Sequence, residues 1–290
     1  MTKPLFVKDK TAVAATYFAT GGLKNASNVA LTLGRPLLIT GEPGSGKTSA
    51  AYWIARVLGI SKERFHVFPV RSDTRAKSLR YDFDAVNWFR QSQIEKKQVD
   101  KAPFITPGPL GNAFGWRGQI TNAPHLILID EVDKAPRDFP NDLLLELDEM
   151  RFMIVETGEW IGPPQERPII VITSNAERRL PDPFLRRCIS HQIKLAATDV
   201  EEILRLRLTQ SGSDLSGLFK AAAAFFHDIP DRLTRKPTLA ELWQWIALEL
   251  AYGGVTATEA AGRLTAKGDA LRSSFINTLV SPSDLDELAR

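Results

Sequence analysis

The segment with the clearest chemical potential is GEPGSGKT at residues 41–48. It matches the pattern GxxxxGK[ST] and lies between an apolar run typical of a buried strand, residues 36–40, and a sequence typical of a helix. Residues without a Cβ let the chain curl tightly, so that several backbone N–H groups converge on a phosphate. The helix that follows directs its positive dipole end toward the same group. The sequence therefore predicts a loop that binds a nucleoside triphosphate.

Within this loop, the residue types suggest individual roles. Lys47 is placed to bridge the β- and γ-phosphate oxygens, and the Thr48 hydroxyl is placed to bind Mg²⁺. The predicted nucleotide-binding residues are Gly41, Glu42, Pro43, Gly44, Ser45, Gly46, Lys47, Thr48 and Ser49.

A second candidate site follows the apolar run at residues 126–129, which ends in the adjacent carboxylates Asp130 and Glu131. A strand that ends in this way can deliver Asp130 to Mg²⁺, together with Thr48, and Glu131 to the water that attacks the γ-phosphate. Asn175 follows a further buried run at residues 169–173, where it can either orient that water or simply form a turn.

The surrounding pattern indicates two domains, an α/β domain at residues 1–197 and an all-helical one at residues 198–290. Two further strands are expected, at residues 65–70 and 191–195. The capping-box pairs Thr198 with Glu201 and Thr238 with Glu241 predict helix starts in the second domain. The remaining features are an insertion at about residues 71–109 and a β-hairpin at about residues 152–164.

Composition narrows the functional classes. The 290 residues include 37 basic and 34 acidic residues, and a net charge of +3 does not indicate a nucleic-acid or membrane partner. The single cysteine, Cys188, excludes an internal disulfide, and the four histidines lack metal-ligand spacing. The N-terminus lacks the apolar core of a signal peptide, so a cytoplasmic location is expected.

Taken together, these motifs resemble those of the AAA+ ATPases, and their combination resembles the MoxR-type, helix-2-insert branch of that family. The resemblance rests on segments spread over residues 25–195. They are GEPGSGKT at 41–48, GPLGNAF at 108–114, LILIDEVDKAP at 126–136, the hairpin at 152–164, TSN at 173–175 and FLRRC at 184–188.

The resemblance implies an α/β fold with a five-stranded parallel sheet in the order 5-1-4-3-2 and a small all-helical lid domain. It also implies ATP and Mg²⁺ as cofactors, a homo-oligomeric and typically hexameric ring, and a protein client. Proteins of the MoxR branch typically work with partners that carry a von Willebrand A-type domain.

Individual roles also come from the resemblance. Asn175 corresponds to the first sensor, and Arg187 to the arginine finger that reaches a neighbouring subunit, with the adjacent Arg186 as the alternative. Arg235 and Lys236 are candidates for the second sensor, although the family pattern has an arginine where this chain has Thr238.

Three functions fit this sequence. The first is an ATPase that remodels or chaperones a partner protein, with Trp160, Ile161 or Phe104 gripping the client. The second is a motor on nucleic acid, for which a basic strip at Arg71, Arg75, Lys77 and Arg80 would be needed. The third is a nucleotide-gated scaffold with little turnover, which Glu131 and Arg187 disfavour.

Overall fold

The computed structural model describes residues 16–95, 99–118, 123–208, 215–228, 237–252 and 256–264. These residues form two compact units. The first unit, called the sheet unit here, contains residues 21–41 and 51–192. The second, called the helical unit, contains residues 42–50 together with the described residues before 21 and after 192. Each unit has its own apolar core.

The described part of the chain alternates between helices and strands. Its α-helices are α1 (Gly21–Leu33), α2 (Lys47–Val57), α3 (Ala76–Arg80), α4 (Ala85–Glu95), α5 (Pro109–Ala113), α6 (Leu144–Glu149), α7 (Asp182–Leu185), α8 (Ala197–Leu208), α9 (Ser216–Asp228), α10 (Leu239–Tyr252) and α11 (Ala257–Leu264). Its strands are β1 (Leu37–Thr40), β2 (Phe65–Pro69), β3 (Tyr81–Phe83), β4 (Ile105–Pro107), β5 (Leu126–Asp130), β6 (Phe152–Met153), β7 (Trp160–Ile161), β8 (Ile169–Ser174) and β9 (Ile189–Gln192).

Five strands form one parallel sheet in the order β2-β5-β8-β1-β9. Numbered along the chain, this is the predicted order 5-1-4-3-2, so the predicted fold class is confirmed. The central strands are almost wholly apolar because helices cover both faces of a parallel sheet, and Leu126–Ile129 of β5 are all buried. Because β1, β5 and β8 are parallel neighbours, their carboxyl ends meet at one edge of the sheet. The predicted catalytic residues follow the strands at this edge.

The predicted position of the last strand is wrong. Strand β9 runs over Ile189–Gln192 rather than residues 191–195, and the Ile189 N–H donates to the Pro36 carbonyl at 2.8 Å. This edge strand is only partly buried, so its alternation pattern left the boundary ambiguous.

Two antiparallel segments interrupt the α/β pattern of the sheet unit, and both were expected. In the insertion, β3 pairs antiparallel with β4, and α4 lies between them in sequence. In the hairpin, β6 pairs antiparallel with β7.

The described part of the helical unit packs α8, α9, α10 and α11 around the fully buried Trp245. The capping box at Thr238 is confirmed, because the Glu241 N–H donates to the Thr238 hydroxyl and the Thr238 N–H donates to the Glu241 carboxylate. The box predicted at Thr198 is wrong: α8 begins at Ala197, and Asp199 accepts the N–H of Ala196 instead. None of the helices in the described ranges is long and apolar enough to cross a membrane.

Candidate functional site

The phosphate-binding loop has the backbone conformation that its glycines were predicted to allow. Gly44 and Gly46 have φ angles of +76° and +91°, a region that residues with a Cβ rarely adopt. The loop tightens through the Ser45 N–H, which donates to the Glu42 carbonyl at 3.2 Å, and it leads directly into α2 at Lys47.

Two polar side chains of this loop are arranged as an anion site requires. Lys47 is only 7% exposed, and its Nζ donates to the Glu42 carbonyl at 2.8 Å, so the ammonium group lies inside the loop. The Ser45 hydroxyl is buried and has no hydrogen-bond partner. A phosphate oxygen would satisfy both groups, and the loop therefore fits the triphosphate predicted for it.

Within the helical unit, two residues from distant parts of the chain lie against this loop. A Cβ built on Gly44 would lie 2.5 Å from the Cβ of Thr238, the residue that caps α10. A Cβ on Gly46 would lie 3.2 Å from the Tyr17 ring. Burial raises the pKa of Tyr17 well above its usual value, so this phenol stays neutral at physiological pH. Neither contact was predicted as part of the site.

In the sheet unit, Asp130 ends β5 and Glu131 follows it directly, and a single hydroxyl connects them. Thr173 of β8 donates its hydroxyl to the Asp130 carboxylate at 2.7 Å and accepts the Glu131 N–H at 2.8 Å. Glu131 has a φ of 62°, which costs about 1–3 kcal/mol for a residue other than glycine. The hydrogen bond to the fully buried Thr173 helps to hold that strained conformation.

Asn175 lies beside Glu131, as the sensor role requires. Its Nδ2 is 3.5 Å from Glu131 Oε1, at the limit of a hydrogen bond, and 3.4 Å from Glu177 Oε1. The other Glu131 oxygen, Oε2, is 2.6 Å from Lys134 Nζ. The carboxylate predicted to activate water is therefore held by an amide on one side and an ammonium on the other.

Asp133, whose role was not predicted from the sequence, connects the loop after β5 to the loop after β8. Asp133 is buried, and its carboxylate accepts the N–H groups of Asn175 at 3.2 Å and Glu177 at 3.1 Å. The only signal in the sequence was its position two residues after Glu131. Thr173 was likewise missed, since its role depends on which strands lie side by side. Lys134 was also missed, although its partner Glu131 is only three residues away.

The two arginines proposed as fingers differ in their surroundings. The Arg187 guanidinium pairs with Asp148 at 2.6 Å and donates to the Pro183 carbonyl at 2.7 Å. Arg186 is exposed. A finger arginine must reach a phosphate that is bound by the neighbouring subunit. The Arg187 guanidinium would therefore have to exchange its contact with Asp148 for one with that phosphate. The predicted second-sensor residues, Arg235 and Lys236, lie outside the described residues.

The insertion and the hairpin are joined through one carboxylate. Glu156, at the hairpin tip, accepts a hydrogen bond from Lys77 at 2.5 Å and another from the Tyr81 hydroxyl at 2.6 Å. The Tyr81 hydroxyl in turn accepts the Val155 N–H at 3.0 Å. Trp160 of the hairpin is exposed as predicted, whereas Ile161 is buried against the core and cannot grip a client. Phe104 is half-buried.

Comparison with known families matches residues 36–188, more than half of the chain, to the AAA domain family of the dynein-related subfamily. The chain belongs to that family. The expectation of an AAA+ ATPase, drawn from the resemblance of the combined motifs, is thereby confirmed at the level of the family. The matched range includes every predicted site residue except Arg235 and Lys236.

Individual relatives are similar to this chain over about half of its length. The Lon protease of Borrelia duttonii (strain Ly) is 27% identical over 159 residues, 53% of this chain and 17% of that protein. The mitochondrial Lon protease homolog of Rattus norvegicus is 28% identical over 161 residues, 54% of this chain and 15% of that protein. Replication factor C subunit 1 of Drosophila melanogaster is 22% identical over 177 residues, which are 58% of this chain and 16% of that protein. The chain thus spans less than a fifth of each of these relatives.

Among solved structures, domain III of the replication initiation protein DnaA from Thermotoga maritima superposes with a TM-score of 0.48 at 17% identity. The superposition covers 89% of this chain and 96% of that one.

Proposed function

We propose that this protein is a ring-forming AAA+ ATPase of the MoxR type, which couples ATP hydrolysis at subunit interfaces to the remodelling of a partner protein. In this proposal, residues 41–49, which include Lys47, hold the phosphates. Arg235 or Lys236 is the second sensor. Mg²⁺, held by Thr48 and Asp130, would supply positive charge to the phosphates when bound.

The chain's own residues have distinct tasks in hydrolysis. Glu131 accepts a proton from the attacking water, and Asn175 orients that water between the two side chains. Thr173 fixes the Asp130 carboxylate relative to the Glu131 backbone through its two hydrogen bonds. Arg187, from the neighbouring subunit, stabilises the negative charge that develops on the transferred phosphoryl group, a contribution of about 10³–10⁵ in rate.

The choice of a protein client rests on the exposed apolar side chains of the insertion and the hairpin. Helix α4 exposes Val86 and Ile94, at 78% and 70%, and the hairpin exposes Trp160 at 50%. Exposed apolar side chains are typical of surfaces that bind other proteins. Glu156 of the hairpin bonds to Lys77 and Tyr81 of the insertion, so the two segments are directly connected.

The charges on the insertion favour this client over nucleic acid. Lys77 pairs with Glu156, and Arg80 lies 3.4 Å from the Glu146 carboxylate. Only Arg71 and Arg75 of the four candidate cations are exposed without a described carboxylate partner, and two separated cations give little phosphate affinity. A hexameric ring, a partner with a von Willebrand A-type domain and a cytoplasmic location remain predictions from the sequence.

Photo-crosslinking tests this function. Trp160 is replaced by the photoreactive p-benzoylphenylalanine in a Glu131→Gln variant, which is expected to retain ATP. The matched control carries the same group at Leu206, an exposed residue of α8. We expect ATP-dependent protein adducts from position 160 and none from position 206. Adducts to nucleic acid would favour the motor, and equal labelling at both positions would refute a specific client surface.

A further inference from the structure

The sheet unit contains a cavity at the amino ends of β1 and β8, opposite the strand ends that carry Asp130 and Asn175. Its volume is about 80 Å³, and it lies between α1, α2 and the first residues of β1 and β8. Most of its wall is apolar and includes Ala30, Leu37, Ile54 and Ile170. None of these residues belongs to the site described above.

Two positively charged side chains form part of the wall of this mostly apolar cavity. Arg35, which is partly buried, and Arg167, which is exposed, both line it. Arg35 Nε donates to the Arg187 carbonyl at 3.1 Å, and Arg167 Nη2 donates to the Leu147 carbonyl at 3.2 Å; neither acceptor belongs to a residue of the cavity wall. A guanidinium has five N–H groups, so most remain available. In the described part of the chain, neither arginine pairs with a carboxylate.

The local backbone brings the two guanidinium-bearing residues together. Gly34 ends α1 with a φ of +60°, and the Arg35 N–H donates back to the Ala30 carbonyl at 3.0 Å. This helix stop is typical of a glycine at the C′ position. A Cβ on Gly34 would lie 3.0 Å from Arg167 Cδ, so the Arg167 side chain crosses the backbone directly beside Arg35.

We propose that this cavity is a binding site for a short aliphatic monocarboxylate, whose carboxylate is received by Arg35 and Arg167 and whose tail fills the apolar space. Arginine binds planar anions through paired N–H donors, and an anion without a tail would leave the apolar wall uncovered. The Ser27 hydroxyl already donates to the Leu23 carbonyl of its own helix, so the arginines are the polar groups that select the ligand. The cavity has about half the volume of an engineered cavity that accepts benzene, which suits a tail of roughly four carbons.

The same two arginines connect this site to the predicted finger. Arg35 holds the carbonyl of Arg187 itself, and Arg167 holds the carbonyl of Leu147, the neighbour of the Asp148 that pairs with Arg187. A bound carboxylate would compete for both guanidinium groups and so loosen the backbone on each side of the Arg187–Asp148 pair. This regulatory consequence rests on the proposed function, whereas the binding site itself does not.

Binding is measured with valerate and the full chain, by following the methyl signals of Ile54 and Ile170 in NMR spectra. We expect saturable shifts with a dissociation constant on the order of 1 mM, as suits a ligand of seven heavy atoms. Acetate, which lacks the tail, and pentan-1-ol, which lacks the charge, should each bind at least about tenfold more weakly. Equal affinity for all three, or no saturable shift, would overturn the proposal.

Two kinds of variant keep this test independent of folding. Arg35→Met and Arg167→Met remove the charge, and Ala30→Leu fills the cavity from α1; each should weaken valerate binding about tenfold or more. Arg179→Gln, which removes an exposed arginine elsewhere in the same unit, is the matched control and should not. Unchanged binding in all three cavity variants, with their methyl spectra otherwise intact, would place the ligand elsewhere and refute the site.

ATP hydrolysis is measured separately in the same samples. If valerate binds and changes the hydrolysis rate of the unsubstituted protein by about twofold or more, but not that of Arg35→Met, the link to Arg187 is supported. Binding without any change in rate would overturn the link and leave the site. Absence of hydrolysis under every condition would contradict the proposed function, while the binding result would still stand.

Discussion

The ammonium group of Lys134 lies 2.6 Å from the carboxylate of Glu131, and both side chains are partly exposed. The group predicted to activate water is thus already engaged in an ion pair within its own loop. The hydrogen bond that Lys134 donates to Glu131 raises the pKa of the lysine, so its ammonium group stays charged at neutral pH.

Removing this lysine should release Glu131. Because exposed ion pairs contribute about 0.2–1 kcal/mol, Lys134→Met should increase kcat for ATP hydrolysis by roughly 1.5- to 5-fold. Lys134→Arg, which keeps a cation at this position, should change kcat little. A steady-state ATPase assay decides, and a large loss of activity in Lys134→Met would show that the lysine has a positive role in the reaction.

Thr173→Val tests whether one hydroxyl positions the Asp130 carboxylate and the Glu131 backbone. The substitution keeps the shape of a fully buried side chain but removes the hydroxyl that accepts the Glu131 N–H and donates to the Asp130 carboxylate. We expect a loss of about 1–3 kcal/mol in the free energy of unfolding and at least about a tenfold fall in kcat, with ATP affinity changed much less. Thr173→Ser restores the hydroxyl and should recover most of kcat. If the serine variant is as impaired as the valine variant, the hydroxyl is not the cause.

The conformation of Gly44 can be tested against a matched glycine. Gly44→Ala places a Cβ at a φ of +76° and 2.5 Å from Thr238, so ATP binding should be lost. Gly59 has a similar φ of +64° with open space around it, so Gly59→Ala should cost only about 1 kcal/mol in stability and leave ATP affinity unchanged. Fluorescent-nucleotide titration compares the two. Equal effects would mean that backbone strain, rather than the shape of the loop, governs binding.

The phosphate loop and the strand ends could be predicted from sequence because each is a short, continuous pattern with its chemistry inside it. Thr173 and Asp133 could not, because their partners lie 42 or more residues away and become neighbours only through the pairing of β5 with β8. The contact between Gly44 and Thr238 joins still more distant segments. The partner of Arg187 was also hidden, since Asp148 belongs to α6 and lies 39 residues earlier in the chain.

Two histidines predict a dependence of stability on pH. His66 Nε2 and His125 Nδ1 lie 2.9 Å apart with their rings stacked, and burial lowers the pKa of both, with the neighbouring histidine contributing for His66 and Arg64 for His125. The folded state therefore holds fewer protons than the unfolded state just below pH 6.5. By linkage, this histidine pair should not reduce the free energy of unfolding above that pH. The free energy of unfolding should then decrease as the pH falls through the lowered pKa values.

Urea unfolding at pH 7.5 and 5.5 measures this effect. His125→Gln should reduce the loss of stability between the two pH values, whereas His227→Gln, in α9, should leave it unchanged. A pH dependence that is the same in both variants would assign the loss to other groups.

The central claim is that ATP is hydrolysed at a site completed by an arginine from the neighbouring subunit. The most direct test mixes Lys47→Ala subunits, which lack the phosphate-binding ammonium but retain Arg187, with Arg187→Ala subunits, which have the reverse defect. Each variant alone should be nearly inactive, and an equimolar mixture should regain activity, because roughly a quarter of randomly formed interfaces would combine both intact halves. Co-assembly is verified by the mass of the mixture, and the same experiment with Arg186→Ala identifies which arginine is the finger. Mixed rings that form but hydrolyse no more ATP than the two variants alone, for either arginine, would contradict the shared site.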